Sequence, residues 1–266
     1  MHRVKLDKNT RIDLISDINN EYDISKKVIN GIRVEKVLIN DKNYKMINKS
    51  MGDYISLFFD DITDYDIRNN LINVLSKELK ELLNKKGLFG KSSLVVGLGN
   101  NMSTPDSLGP KVIKNIITTR HISIVSSLDK KYSIVSKVEP GVFANTGIES
   151  FDIIKSIIKN IKPDFVIIID SLCSTTLDKV NKVIQFTDSG IDPGSGVNNH
   201  RKGFNKKTLG VDVISIGVPT VVNLHTIDTT ISNDYLVTPK DIDFVIEELG
   251  VVISKSINNA LHNLTK

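Results

Sequence analysis

Two aspartates stand where an open α/β sheet places its ligand crevice, at the carboxyl ends of buried strands. Asp170 directly ends the apolar run Phe165 to Ile169, and Asp106 follows the run Leu94 to Val96 after a short turn. Neighbouring parallel strands would bring both acids to one edge of the sheet. Two carboxylates there suit peptide hydrolysis, because one can take a proton from water while the other donates a proton to the carbonyl oxygen or leaving nitrogen. The structural alternative is that Asp106 caps a helix and Asp170 only ends a strand.

The turn before Asp106 contains the sequence Gly97-Leu98-Gly99-Asn100. Glycine lets backbone amides approach an anion, so a phosphate-binding loop is one interpretation. The third glycine of a dinucleotide-binding fingerprint is missing, however, and no Gly-Lys-Ser/Thr follows. We expect either close passage of the backbone to a substrate or a simple tight turn. Gly97, Gly99 and Asn100 are therefore candidate crevice residues.

Other candidates for chemistry are weaker. Asp188-Ser189-Gly190 resembles the catalytic turn of pepsin-like proteases, but those use an all-β framework, so we interpret it as a turn. It begins a polar loop, continuing to Lys202, that either holds a substrate segment, lines a subunit contact or is solvated surface. The five histidines lack zinc-binding spacing, so no metal site is predicted. Cys173 has no activating base that the sequence can place, and we expect a structural thiol.

Composition excludes several classes of protein. Apolar residues make up 40% of the 266 positions, which is enough for a hydrophobic core. The single cysteine excludes an intramolecular disulfide framework, and a net charge of +4 does not resemble the footprint of a nucleic-acid binder. No apolar run approaches the ~18 residues of a membrane span, and the N-terminus lacks the apolar stretch of a secretory signal. We therefore expect a cytoplasmic protein with neither nucleic acid nor membrane as a direct partner.

Strand and helix patterns alternate along most of the chain. Residues 32–39 and 54–59 favour β structure, and residues 66–86 carry leucines at helical spacing. Thr238 followed by Pro239 is typical of a helix start, with Thr238 as the cap. The alternation predicts an α/β fold: a single three-layer domain with a mostly parallel central sheet, plus an N-terminal β-rich extension. Further strands are predicted at residues 94–96, 132–138, 165–170, 183–186 and 213–216.

Many segments together resemble one family, the bacterial spore germination proteases. The similarity covers roughly residues 94–264, with a weaker match at the N-terminus. The matching segments are Val95 to Asn100, Thr104 to Val112, Thr119 to His121, Pro140 to Val142, Thr146 to Glu149, Pro163 to Asp170, Asp188 to Ile191, Pro193 to Val197, Thr208 to Gly210, Ile216 to Val222 and Val237 to Lys240.

The resemblance implies an atypical aspartic-type endopeptidase that begins the degradation of small acid-soluble, DNA-coating spore proteins during germination and needs no cofactor. Its two functional carboxylates match Asp106 and Asp170. It also implies a fold like that of the hydrogenase-maturation endopeptidases, a cytoplasmic zymogen in the spore core, and a homotetramer. This chain departs from the family at Asp192, where histidine is common, and in the stretch between Thr220 and Val237, which is shorter than in longer members. These departures put zymogen control and substrate gating in question.

The resemblance further implies that a short N-terminal propeptide, residues 1–13, is removed. Family members are cut between an acidic and an apolar residue, and the Asp13–Leu14 bond matches both this chemistry and the position. The polar N-terminal arm is expected to be loosely docked and mobile, and to occupy the crevice until it is cut. The peptidase domain is then residues 14–266, with an extension over 14–90 and a catalytic core over 91–266.

Two other functions remain open from the sequence. One is a hydrogenase-maturation-like peptidase, in which similarly placed acids hold a metal of the substrate; the absence of a nearby histidine ligand is against it. The other is an inactive module that binds spore proteins, and the retention of both carboxylates is against that.

Overall fold

Buried strands alternate with amphipathic helices in the structure as they do in the sequence. The computed structural model describes residues 12–18, 23–44, 49–192, 202–228, 230–231 and 235–264. Strands that are buried on both faces lie at the centre, and helices cover each side. The predicted α/β class is therefore confirmed.

Four central strands are parallel to one another. They are β4 (Ser93–Gly97), β5 (Val135–Val138), β6 (Phe165–Ser174) and β8 (Asp212–Asn223). Two other strands, β7 (Val183–Thr187) and β9 (Leu236–Val237), pair antiparallel with β8. Nearly every residue of β4 and β6 is buried, which explains why these strands are continuous apolar runs.

The predicted N-terminal β-rich extension continues the same sheet. It contributes β1 (Ile24–Ile29), β2 (Ile32–Ile39) and β3 (Gly52–Phe58), which pair antiparallel and join the core through β7. The strand order is β1-β2-β3-β7-β8-β6-β4-β5. The sheet is thus mixed: its parallel part is the four strands of the core, and the extension adds an antiparallel part.

Helices cover both faces of the sheet and give the three predicted layers. The first face packs against α1 (Tyr65–Lys85), α2 (Leu108–Lys114) and α7 (Ile242–Leu261). On the second face, α5 (Ser150–Ile161) packs with Phe204 and with α6 (Lys206–Leu209). Two shorter helices complete the described set, α3 (Arg120–Val125) and α4 (Phe143–Thr146).

Two predicted boundaries are wrong for reasons that the side chains explain. The C-terminal helix begins at Ile242, not just after Thr238. The Thr238 hydroxyl donates to the carbonyl of Thr220 (2.8 Å) on β8, so Thr238 does not cap the helix. The strand expected to end at Asp170 continues to Ser174, and its pairing with β8 shifts register between Leu172 and Cys173. Such an irregularity is typical of strands that carry functional groups.

Candidate active site

Asp170 lies within β6 near the carboxyl end of the parallel strands. Its side chain is buried on the second face of the sheet, opposite to Ile169, which packs into the core beneath α1 and α7. One carboxylate oxygen accepts from the backbone N–H of Ser171 (3.0 Å). On β8 the residue in register with Asp170 is Gly217, and the side chain of Leu172 packs over this glycine, where a Cβ would lie 2.6 Å from it.

Asp106 ends a single 3₁₀ turn, Thr104–Asp106, in the loop that follows β4. The backbone N–H of Leu98 donates to the carbonyl of Ile169 (2.8 Å), which fixes the start of this loop beside Asp170. The hydroxyl of Thr220 on β8 donates to the carbonyl of Pro105 (2.6 Å) and fixes the turn itself. Three strands thereby position Asp106, whose side chain is half-buried.

The predicted crevice glycines position Asp106 through the backbone. Gly99 has φ of +112°, and a Cβ there would lie 2.0 Å from the carbonyl oxygen of Asp106, so only glycine permits this approach. Asn100 donates its backbone N–H to the same carbonyl (2.9 Å). Gly97 lies further back and lets α2 pack closely, since a Cβ there would lie 2.4 Å from the carbonyl oxygen of Gly109.

One cavity of about 410 Å³ is lined by both Asp106 and Asp170. Gly99 also lines it, as do Glu149 and Lys202. The Lys202 ammonium lies 4.3 Å from the centre of the Phe151 ring, and this lysine belongs to the polar loop that the sequence singled out. Most of that loop, residues 193–201, lies outside the described residues. The structure thus brings together the two acids that the strand-end argument selected.

The same cavity contains part of the chain's own N-terminal segment. A carboxylate oxygen of Asp13 accepts from the backbone N–H of Cys173 (2.9 Å), and Asp13 lines the cavity. Leu14 is completely buried against Leu172 and Val183. The expectation of a loosely docked arm is wrong for residues 13–18, while residues 1–11 lie outside the described part of the chain.

An ion pair anchors the residues that follow Leu14. The Asp17 side chain is fully buried and pairs with the ammonium of Lys179. It also accepts from the backbone N–H of Thr175 (2.8 Å) and from the hydroxyl of Ser174 (3.2 Å). Lys179 additionally donates to the carbonyl of Ser16 (2.6 Å). A buried carboxylate with this set of donors holds the segment firmly against the end of β6.

Cys173 has the environment of a structural thiol. Burial, reinforced by the charges of Asp13 and Asp17, raises the pKa of Cys173 to about 12. At neutral pH the group is therefore protonated, and a protonated thiol is a poor nucleophile. The prediction that Cys173 does not carry the chemistry agrees with this environment.

Asp188 and Ser189 form a turn outside the cavity, as interpreted from the sequence. The Asp188 carboxylate accepts from the backbone N–H of Asp53 (2.7 Å) and pairs with Lys86, whose pKa is raised by the hydrogen bond to Asp188. In the ranges that the structure describes, no group of three or more His, Cys, Asp or Glu side chains could hold a metal ion. No helix in those ranges is long and apolar enough to cross a membrane.

Sequence reasoning missed two polar residues that contact the docked segment. Gln185 on β7 and Lys49, just before β3, both donate to the backbone carbonyl of Asp13 (3.2 and 3.1 Å). A single amide in an apolar strand and a lysine among polar residues give no local signal of such a contact. Successive side chains of a strand point to opposite faces, so Gln185 lies on the face opposite Ile184 and Phe186. This alternation is the only signal that could have indicated the contact.

The fold and the cavity together define an α/β protein with two carboxylates at the carboxyl ends of its parallel strands and its own N-terminal segment beside them. The sequence profile described as "Germination protease" matches residues 2–235. The chain therefore belongs to the germination protease family.

Individual relatives agree with this assignment. The chain is 42% identical over 240 residues to a germination protease of Clostridium tetani, covering 88% of this chain and 70% of that one. It is 40% identical over 232 residues to one from Geobacillus, covering 85% of this chain and 60% of that protein's length. A relative from Clostridium acetobutylicum is 37% identical over 290 residues, covering 91% and 89%.

Among solved structures, the [NiFe] hydrogenase maturation protease HycI from Thermococcus kodakarensis aligns with 68% of this chain and 99% of its own. The sequence identity is 16% and the TM-score is 0.37. Values this low carry no argument about function.

Proposed function

We propose that this protein is an endopeptidase that begins the degradation of small acid-soluble, DNA-coating spore proteins during germination. The observation that carries the proposal is that Asp106 and Asp170, which are far apart in sequence, line one cavity together with the chain's own Asp13. Family membership supports the peptidase class and the setting in the spore.

In the proposed reaction the two carboxylates share the proton transfers. One, ionised, takes a proton from a water molecule as the water oxygen bonds to the scissile carbonyl carbon. The other, protonated, gives its proton to the leaving nitrogen as the C–N bond breaks, so the pair has exchanged one proton. The hydrogen bonds that hold the loop and turn of Asp106 against β6 and β8 fix the distance between the two groups.

We further propose that the chain is made as a zymogen and cut between Asp13 and Leu14. Asp13 lines the cavity of the two acids, so the segment occupies space that a substrate would need. Small acid-soluble spore proteins are the proposed substrate, the spore core cytoplasm is the proposed location, and a homotetramer is the proposed assembly. Sedimentation of the purified protein measures the last of these.

The two-carboxylate mechanism is tested by Asp106→Asn and Asp170→Asn. Each amide keeps the shape of its side chain but cannot exchange a proton with water. Each variant should therefore cleave a DNA-coating spore protein at least ~10³-fold more slowly than the wild type. The double variant should be little worse than either single variant, because the two groups act as one unit. Asp152→Asn, an exposed acid on α5, is the matched control and should keep full activity.

The same assay separates the competing functions. Wild-type cleavage that survives a chelator supports the carboxylate pair, whereas cleavage that a chelator abolishes supports a metal-dependent peptidase. Binding of the spore protein without any cleavage supports an inactive binding module. A folded Asp170→Asn variant that retains near-normal activity contradicts the mechanism.

A further inference from the structure

We propose that Gln185 and Lys49 bind the scissile carbonyl of Asp13 and act as its hydrogen-bond donors when the chain cuts itself. This inference rests on the proposed cut between Asp13 and Leu14. It assigns the task of polarising the carbonyl to two residues outside the aspartate pair.

Gln185 holds the backbone on both sides of this bond. Its Nε2 donates to the carbonyl oxygen of Asp13 (3.2 Å), and its Oε1 accepts from the backbone N–H of Ile15 (2.7 Å). Since a carbonyl can only accept and a backbone N–H can only donate, these two partners fix the orientation of the amide. Gln185 is buried, and its hydrogen bond to Ile15 is buried while its hydrogen bond to Asp13 is partly buried.

Lys49 supplies a second donor to the same oxygen. Its ammonium lies 3.1 Å from the carbonyl oxygen of Asp13. The carboxylate of this residue is held separately, by the backbone N–H of Cys173 (2.9 Å). Main-chain and side-chain groups of Asp13 are thus each bound by a different part of the fold, which fixes the plane of the peptide bond.

The sheet register places Gln185 on the same face as Asp170, two strands away. Gln185 on β7 pairs with Gly217 on β8, and Gly217 pairs with Asp170 on β6. Residues in register point to the same face, and neighbouring strands lie about 4.8 Å apart. Gln185 and Asp170 therefore lie on one face about two strand spacings apart. The side chain of Leu172 fills the space over Gly217, since a Cβ there would lie 2.6 Å from it. Leu14 packs against Leu172, and Asp13, the residue before Leu14, lines the cavity of Asp170.

The chemistry needs donors at this oxygen. When the water oxygen bonds to the carbonyl carbon of Asp13, the C=O electron pair moves to the oxygen, which becomes negative. Two N–H donors already in contact with it, one of them cationic, stabilise that charge. The electron pair then re-forms the carbonyl as the C–N bond breaks, and the nitrogen of Leu14 leaves with a proton from the acid partner.

The test follows self-cleavage of the full chain in a mildly acidic buffer, using the intact mass to detect loss of residues 1–13. Gln185→Met removes both hydrogen bonds at similar volume and should slow cleavage at least ~100-fold, the usual loss for one donor of this kind. Lys49→Met should also slow it, whereas Lys49→Arg keeps a cationic donor and should stay near the wild-type rate. Ile184→Val, on the opposite face of β7, is the matched control and should cut normally.

Gln185→Glu separates donation from mere packing. An ionised carboxylate still accepts from Ile15 but cannot donate to Asp13, so cleavage should be slow at neutral pH. Protonation restores a donor, so the rate relative to wild type should recover as the pH falls. A role in packing alone predicts a constant ratio at all pH values, and that result overturns the proposal.

The outcomes also separate this inference from the proposed function. If the wild type cuts after Asp13 and folded Gln185→Met cuts within about threefold of it, the donor assignment is wrong and the endopeptidase stands. Should Gln185→Met fail to fold, the Lys49 pair decides: equal rates for Lys49→Met and wild type overturn the assignment. A wild type that neither cuts itself nor digests spore protein overturns both.

Discussion

Replacing Lys179 by methionine should release the docked N-terminal segment from the domain. The Asp17 carboxylate is fully buried, and Lys179 is its cationic partner. Without that ammonium, only the N–H of Thr175 and the hydroxyl of Ser174 would compensate a buried negative charge.

Two energies decide what the segment does. Leaving a buried charge unpaired costs about 3–5 kcal/mol. Burial of Leu14 and Ile15, which are 0% and 2% exposed, contributes about 1.5–3 kcal/mol each towards keeping the segment docked. Because the penalty is as large as the docking energy, the segment should open locally while the sheet stays folded.

Hydrogen exchange at the amide of Ile15 measures this opening directly, since that N–H is bound to Gln185 inside the domain. A loss of about 3 kcal/mol accelerates exchange by roughly a hundredfold. Amides in the centre of β6 should exchange as in the wild type. The matched control is Lys182→Met, an exposed lysine nearby. Asp17→Asn combined with Lys179→Met removes both charges and should restore much of the protection.

If the exchange rates of the Ile15 amide in Lys179→Met and in Lys182→Met differ by less than threefold, this reasoning is refuted. It would mean that apolar contacts alone hold the segment and that the ion pair contributes little.

Three further outcomes are expected. Cys173→Ser should keep full proteolytic activity, and a thiol-alkylating reagent should leave the wild type active, because burial raises the pKa of Cys173 to about 12. Loss of activity both in the variant and in the alkylated wild type would mean that the thiol is the nucleophile. Gly99→Ala should abolish cleavage without unfolding the sheet, since its Cβ would displace the backbone of Asp106, and circular dichroism with an activity assay checks both points. Burial lowers the pKa of His262, whose Nδ1 accepts from the N–H of Ser133 (3.3 Å). As the pH falls below about 6.5, His262 is protonated in the unfolded chain before it is protonated in the folded chain. The free energy of unfolding should therefore fall by up to about 1.4 kcal/mol per pH unit. Denaturation of His262→Asn should show no such pH dependence.

The sequence predicted the parts of the fold whose signal is local. The strand that begins at Phe165 is buried on both faces and so is continuously apolar, and α1 repeats leucines on one side. The two aspartates could be selected because the apolar runs before them are visible in the sequence, although β6 continues past Asp170 to Ser174.

Features that depend on distant groups could not be predicted. The strand β1 is exposed along most of its length, so it lacks the alternation that identifies a strand. Thr238 has the local chemistry of a helix cap, but a carbonyl on β8 takes its hydroxyl. Residues 13–17 read as a polar arm, yet their partners Lys179 and Gln185 lie more than 150 positions away.

The place of the Asp17–Lys179 ion pair has a kinetic consequence for a chain cut after Asp13. The anchored residues lie on the C-terminal side of that bond, so cutting does not release them. The new N-terminus at Leu14 would stay beside the cavity as a tethered competitor, at an effective concentration in about the millimolar range. A substrate that needs the same space must displace this competitor, which weakens its apparent affinity in proportion. Loosening the tether should therefore lower the KM of a chain that has already been cut.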